Sequence, residues 1–322
     1  MAEIWSKYAS YSICRKYVDA MVRMSYRKIR VEGTENIPSD GAVIIAPNHC
    51  NTLMDALVIL QSRKAPTAFG ARADIFRKPK VAAILKWLRI VPLARSRDSE
   101  YEREHNTDVF SEVVECINHK VPFVIFVEGT HHVGYTVHPA HLGVFKLADL
   151  SMARHPENAV RIVPTGLVYD DFYDFRSRVA LRYGKPIELS ELEGLTPGEK
   201  IEKLTARIQE LVKAPERRKH GVFGKAMRWA LSVILAPLFL AAAVAALPVW
   251  AVSEKIVKGL KDKAWSNTVR FGVAFALLPI LTILLAAPLF VLLPWSVALA
   301  GLVWLWCAPY AFYQMLYDFK RI

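Results

Sequence analysis

The stretch Ala46–Asp55 reads APNHCNTLMD and follows the apolar run GAVII at 41–45. A short run of β-branched and apolar residues reads as a buried strand. Pro47 then discourages helix, and Asn51 is a good N-cap for a helix that begins after it. The segment is therefore strand, turn and helix, with His49 in the turn and Asp55 in the first helical turn. On an unbroken helix, residues six apart diverge by about 240°, so only this broken geometry lets the carboxylate reach back. Placed so, Asp55 accepts the proton-bearing Nδ1 of His49, fixes its tautomer and leaves Nε2 basic toward the open side. That is the base and orienter of a triad, with an incoming hydroxyl as the nucleophile. On this pair alone, a surface histidine beside an unrelated helix-start aspartate is the commoner situation.

Downstream, from about Val31 to Lys213, apolar runs alternate with helical patterns. GAVIIAP, TAFGA, PFVIFVEGT, VRIVPTGLVY and RVALRYG read as strands; NTLMDALVILQSR, PKVAAILKWLR, DVFSEVVECINH and PGEKIEKLTARIQELVKA read as helices. The last begins with Thr196 as N-cap, Pro197 at the first helical position and Glu199 closing a capping box. Such alternation predicts an α/β fold with a mixed, largely parallel sheet flanked by helices. Chemistry in such folds collects at the carboxyl ends of strands, where His49 and Glu128 both fall.

The ends of the chain are different. Of the 322 residues 53% are hydrophobic, and none from Trp229 to Val252 or from Phe271 to Tyr317 is Asp, Glu, Lys or Arg. At about 1.5 Å per residue the first run covers one ~30 Å hydrocarbon core and the second covers two. The first segment has basic flanks on both sides, KAPERRKHGVFGKAMR before it and SEKIVKGLKDKAWSNTVR after it, which places both its ends on one side of the bilayer. Pro237 and Pro248 would then break it into two half-helices, re-entrant or in-plane. The second reads as a hairpin turning near Pro294. Residues 4–28, rich in Tyr, Arg and Lys and including Trp5, form an amphipathic helix, lying in the interface or packed on the domain. The expected organisation is thus an interfacial helix at 1–30, a catalytic domain at 31–220, and a membrane region at 221–322, with 229–252 embedded or spanning and 271–317 a hairpin. The net charge of +12 concentrates beside the apolar segments, which favours lipid headgroups over nucleic acid. No apolar h-region of a secretory signal follows the first residues. Cys14, Cys50, Cys116 and Cys307 are dispersed without a CxxC pair, so the domain is expected to face a reducing cytoplasm, at a bacterial inner membrane or endoplasmic reticulum.

Three further stretches bear on the His49 turn. RIVPLARSRD sets Arg95 and Arg97 after an apolar run, where their donor forks suit a phosphate. PFVIFVEGTHH ends a strand in Glu128, Gly129 and Thr130; glycine allows close approach of backbone amides to an anion, and threonine adds a hydroxyl. VRIVPTGLVYDDF supplies a strand for the wall of the same cleft. NHxxxxxD at Asn48–Asp55, the segment ending in Arg95, FVEGT and IVPTGL resemble, in order and over roughly residues 40–188, the glycerolipid (PlsC-like) acyltransferases. The resemblance implies a membrane-bound enzyme moving an acyl group from acyl-CoA or acyl carrier protein to a glycerol phosphate. It implies His49 as general base, Asp55 as its orienter, and Arg95, Glu128, Gly129 and Thr130 as the holders of the phosphate-bearing acceptor. Arg72, in FGARADIF, stands where many members carry lysine and is a further phosphate candidate. Most members space the histidine and aspartate by four residues, whereas this chain has five, CNTLM. That spacer, and His132 four positions after Glu128, look more like the fungal-type glycerol-3-phosphate/dihydroxyacetone-phosphate acyltransferases.

The expectation is therefore acylation of glycerol 3-phosphate, the first step of phospholipid synthesis, with acyl-CoA as co-substrate and no cofactor. Acylation of lysophosphatidate is the alternative within the class, and a catalytically silent lipid-binding scaffold the alternative outside it. His131, His132, His138 and His141 show no metal-ligand spacing with a carboxylate partner, so no metal is expected. Cys50 is not expected as a nucleophile, because adjacent side chains in extended chain point to opposite faces.

Overall fold

Strands β1 (Lys28–Glu32), β2 (Ala42–Pro47), β3 (Ala68–Arg72), β4 (Ile90–Leu93), β5 (Phe123–Val124), β6 (Val160–Tyr169), β7 (Arg178–Tyr183) and β8 (Ile187–Glu188) form one sheet. Its order is β1-β7-β6-β2-β5-β3-β4, with β8 paired to β6. The computed structural model describes residues 4, 5, 9–94, 106–215, 234 and 236–320. Pairing is parallel except where β7 and β8 run antiparallel to β6. The mixed, largely parallel sheet flanked by helices is the expected fold. β2, β5 and β6 lie at its centre and are buried throughout apart from Arg161, as a two-sided sheet requires.

Two cores follow from the strand period of two. Ala42, Ile44 and Ala46 point into one, with Val113, Ile117, Phe145 and Leu147. These last come from helices α4 (Asn106–Asn118) and α5 (Gly143–Arg154), and α6 (Pro197–Leu211) adds Leu204 and Ile208. Val43 and Ile45 point into the other, with Met54 and Val58 of α2 (Leu53–Ser62). Helix α3 (Pro79–Trp87) joins β3 to β4. The α6 capping box is present: the Thr196 amide donates to Glu199 Oε2 at 2.7 Å, and the Glu199 amide returns to Thr196 Oγ1 at 3.3 Å.

Helix α1 (Ala9–Ser25) brackets the domain and the C-terminal helices. The Arg15 guanidinium donates to the carbonyls of Leu60 and Arg63 at the end of α2. Tyr17 Oη donates to Phe275 O at 2.7 Å.

The C-terminal region holds three apolar helices, α7 (Ala236–Gly259), α8 (Ser266–Leu292) and α9 (Trp295–Phe319), each long enough to cross a bilayer. The chain turns between α8 and α9 at Leu293–Pro294. The expected break in the first apolar segment is absent from residues 236–259, which run as one helix through Pro248. The run AAAVAA before Pro248 is among the strongest helix formers, and Ala242 and Ala246 are locked into packing with Ala308 and Phe312.

The position of α7 is informative. Phe239 stacks on Phe312 and meets Phe319 edge-on, Trp250 meets Phe312, and Glu254 pairs with Arg270. Phe319 closes α9 beside the Lys320–Asp174 ion pair that ties α9 to the α/β domain. Thus α7 crosses the domain-proximal base of the hairpin, and both its ends lie near the α/β domain. In a cysteine-free background, Ala236→Cys and Lys261→Cys are each expected to react with a membrane-impermeant maleimide from the side of the bilayer that carries that domain. Labelling of position 236 only from the opposite side would contradict this arrangement.

Candidate active site

The parallel strands β2 and β5 end side by side, and the chain beyond them builds the site. After β2 the backbone turns through Asn48–Thr52 into α2. Asn48 fastens this turn to β6: its Nδ2 donates to Leu167 O at 3.1 Å and its Oδ1 accepts from the Leu167 amide at 2.7 Å. The expected N-cap at Asn51 is replaced by Thr52, whose side chain makes no cap hydrogen bond. Thr52 has φ 48° and ψ −128°, an outlying conformation for a β-branched residue, of a kind that costs about 1–3 kcal/mol.

The work expected of a cap is done in reverse by Asp55, which is fully buried. Its Oδ2 accepts the amides of Cys50 at 2.8 Å and Asn51 at 2.7 Å, and lies 2.8 Å from His49 Nδ1. Its Oδ1 accepts Tyr169 Oη at 2.8 Å. A buried carboxylate is tolerable when so surrounded by donors, and with its anionic oxygens facing Nδ1 it fixes the proton there. The expected His49–Asp55 pair is thus formed, and the side chain of His49 stays partly exposed, at 19%. Phe126 stacks on the His49 ring, with centroids 4.2 Å apart.

Glu128 is brought to the same turn, but its carboxylate faces protein. Oε1 accepts the His49 amide at 2.9 Å and Oε2 the His138 amide at 3.2 Å. Burial pushes its carboxyl above the ordinary range, and those two amides pull it part of the way back. Gly129 sits at φ 65°, where an added Cβ would lie 2.8 Å from the His141 ring, so only glycine fits. Thr130 follows it and is half-buried. Arg72 ends β3 at the same edge of the sheet, two strands from β2, exposed and paired with Asp74. Arg95 and Arg97 lie outside the described residues.

Two groups that could compete chemically are constrained. Burial, and then the charge of Asp55, push the Cys50 thiol well above its usual range, so it holds its proton and is no nucleophile. Glu128, His132 and His138 each bring one possible metal-ligand atom to within 4.8 Å of the others, a carboxylate partner that spacing along the chain did not reveal. The His132 and His138 rings are stacked at 3.7 Å, however, so their in-plane lone pairs run side by side and do not converge. Sequence reasoning also missed Tyr169 and Phe126, and weighed His131 only as a metal ligand. His131 stands edge-on to His49 at 5.8 Å, and its Nε2 lies 2.6 Å from Asp262 Oδ2. Tyr169 closes the strand that contains IVPTGL, which was its only signal.

Residues 28–168 match the family model described as Acyltransferase. The chain is similar to two proteins of Saccharomyces cerevisiae. Glycerol-3-phosphate O-acyltransferase 2 is 34% identical over 111 residues, and glycerol-3-phosphate O-acyltransferase 1 is 37% identical over 81 residues. These matches take in 33% and 25% of this chain but only 15% and 11% of the yeast proteins. Among solved structures, the 1-acyl-sn-glycerophosphate acyltransferase PlsC from Thermotoga maritima aligns with TM-score 0.46 and 22% identity, over 65% of this chain and 83% of that one. Residues 28–168, from β1 nearly to the end of β6, thus carry an acyltransferase domain.

Two substitutions test the site's wiring. Tyr169→Phe removes one donor from a buried carboxylate and should destabilise the protein by about 1–3 kcal/mol, read by denaturant unfolding. Glu128→Gln turns an NH2 toward one of two backbone N–H groups. It should destabilise the protein by about 1–3 kcal/mol, read in the same way; unchanged stability would show that Glu128 does not hold the turn.

Proposed function

We propose that the protein transfers a fatty acyl group from an acyl thioester, acyl-CoA, to a hydroxyl of glycerol 3-phosphate at the membrane surface. The observation that carries this reading is the 2.8 Å contact between His49 Nδ1 and Asp55. It leaves Nε2, which has no hydrogen-bond partner among the described residues, as the basic atom of a partly exposed imidazole. Nε2 takes the proton of the acceptor hydroxyl as that oxygen attacks the thioester carbonyl. The tetrahedral intermediate collapses with loss of the CoA thiolate, which receives the proton from the imidazolium. General-base action of this kind contributes typically ~10²–10⁴ in rate.

The Glu128 carboxylate holds the backbone of the His49 turn, since both its oxygens face amides and an anion would repel phosphate. The acceptor phosphate is then met by Thr130, Gly129 and the cations Arg95 and Arg72. The five-residue spacer and the similarity to the yeast enzymes support glycerol 3-phosphate as the acceptor. Basic flanks of the apolar segments and free cysteines support a cytoplasmic face for the domain.

Membranes carrying the protein, incubated with labelled glycerol 3-phosphate and acyl-CoA, should form labelled lysophosphatidate. His49→Ala should lower that rate by at least 10²-fold. Equal product from the two would leave a lipid-binding scaffold as the better description. Faster product from lysophosphatidate than from glycerol 3-phosphate would move the protein to the second acylation step.

A further inference from the structure

The segment joining α7 to α8 does not trail away from the catalytic edge. It touches it at three places. Asp262 Oδ2 lies 2.6 Å from His131 Nε2, and the His131 ring stands edge-on to His49 at 5.8 Å. Trp265 meets the other side of His131 edge-on at 6.3 Å. One turn further on, Thr268 Oγ1 lies 2.7 Å from the Oγ1 of Thr52. Asn267 Nδ2 donates to Phe172 O at 2.9 Å, in the loop that follows Tyr169 and hence the Asp55 donor.

Thr52 lies inside the spacer between His49 and Asp55. A strand-to-helix turn with one additional residue must absorb extra backbone length, and it does so at a residue with positive φ. Thr52 is almost fully buried, so its hydroxyl has no water to turn to, and the partner it uses belongs to the first turn of α8. The turn that sets the distance between His49 and Asp55 is therefore braced by the membrane hairpin and not by the α/β domain alone. Asp262 does the same from the opposite side: it accepts the Ala264 amide at 2.9 Å, which fixes the carboxylate, and ties down the imidazole beside His49.

We propose that Thr268 and Asp262 are positioning residues of the active site, acting through Thr52 and His131 on the His49–Asp55 pair. The hairpin is then more than an anchor: the base is aligned for proton transfer when α8 is seated against the catalytic turn. This rests on the acyltransferase reading above. Neither residue need touch substrate, so their loss should appear in kcat and not in KM. Misplacement of a catalytic group by about 1 Å can cost up to a hundredfold in rate.

The test uses the full chain in phospholipid vesicles, with steady-state kinetics for glycerol 3-phosphate and acyl-CoA, and thermal unfolding followed in parallel. Thr268→Val keeps the shape and removes the hydroxyl. It should lower kcat on the order of tenfold or more while both KM values stay within about twofold and the protein stays folded at the assay temperature. Thr268→Ser, which restores the hydroxyl, should recover most of kcat. Asp262→Asn provides an independent arm, with the same loss in kcat and no loss in KM. Wild type and His49→Ala run alongside. His49-dependent product with full kcat in both Thr268→Val and Asp262→Asn would overturn the inference and leave the acyltransferase reading standing. So would a loss in Thr268→Val that Thr268→Ser does not restore. Equal product from wild type and His49→Ala would overturn the reading beneath it.

Discussion

Both oxygens of Asp55 are committed: one to His49 and the amides of Cys50 and Asn51, the other to Tyr169. The carboxylate is fully buried, so the charge is tolerable only while those donors converge on it. The donors come from two pieces of the fold. The amides belong to the turn after β2, the phenol to the end of β6, and the imidazole to the residue whose chemistry the site needs. Parallel pairing of β2 with β6, Ala42 to Val160 through Pro47 to Thr165, is what brings Tyr169 over the turn. Removing any one donor leaves an under-paired buried charge. Burial and the charge of Asp55 also hold the Tyr169 phenol well above its ordinary range, so it remains a donor across physiological pH.

Much of this was legible because it is local. Pro47, the polar turn and Asp55 lie within ten residues, and their order implies a strand-to-helix turn with the carboxylate folded back. The same holds for Thr196 and Glu199 at the start of α6. What was not legible was non-local or concealed by composition. β1, KIRVE, carries alternating charges, and its first three residues fell in the expected helix at 1–30; it is an edge strand whose outward positions are solvated, as edges commonly are. α5 begins after Leu142 without a side-chain cap, so no start signal marked it. The apolar run after Pro122 forms only two residues of strand. Beyond it the Ile125 and Val127 amides still bond to Ile45 and Pro47, and the chain peels away to deliver Glu128. Tyr169 is 114 residues from Asp55 and Thr268 is 216 from Thr52; no spacing rule reaches so far.

Glu128 shows how geometry alters a role that a motif alone suggests. In the sequence it stands beside Gly129 and Thr130 as one of a group facing the acceptor. In the structure its oxygens receive the backbone amides of His49 and His138, and its burial raises its proton affinity. It makes the turn rigid from the β5 side as Asp55 does from the α2 side. His49 is thereby held by its main chain, its ring nitrogen and its ring face, the last against Phe126. With so little freedom left, the imidazole presents one atom, Nε2, to whatever enters the site.

The account stands most directly on which nitrogen of His49 carries the proton. In protein labelled with 15N-histidine, with His49 assigned by its disappearance in His49→Ala, the ring resonances of the neutral form should show Nδ1 protonated and Nε2 bare. A neutral His49 protonated at Nε2, with Nδ1 bare toward Asp55, would contradict the account.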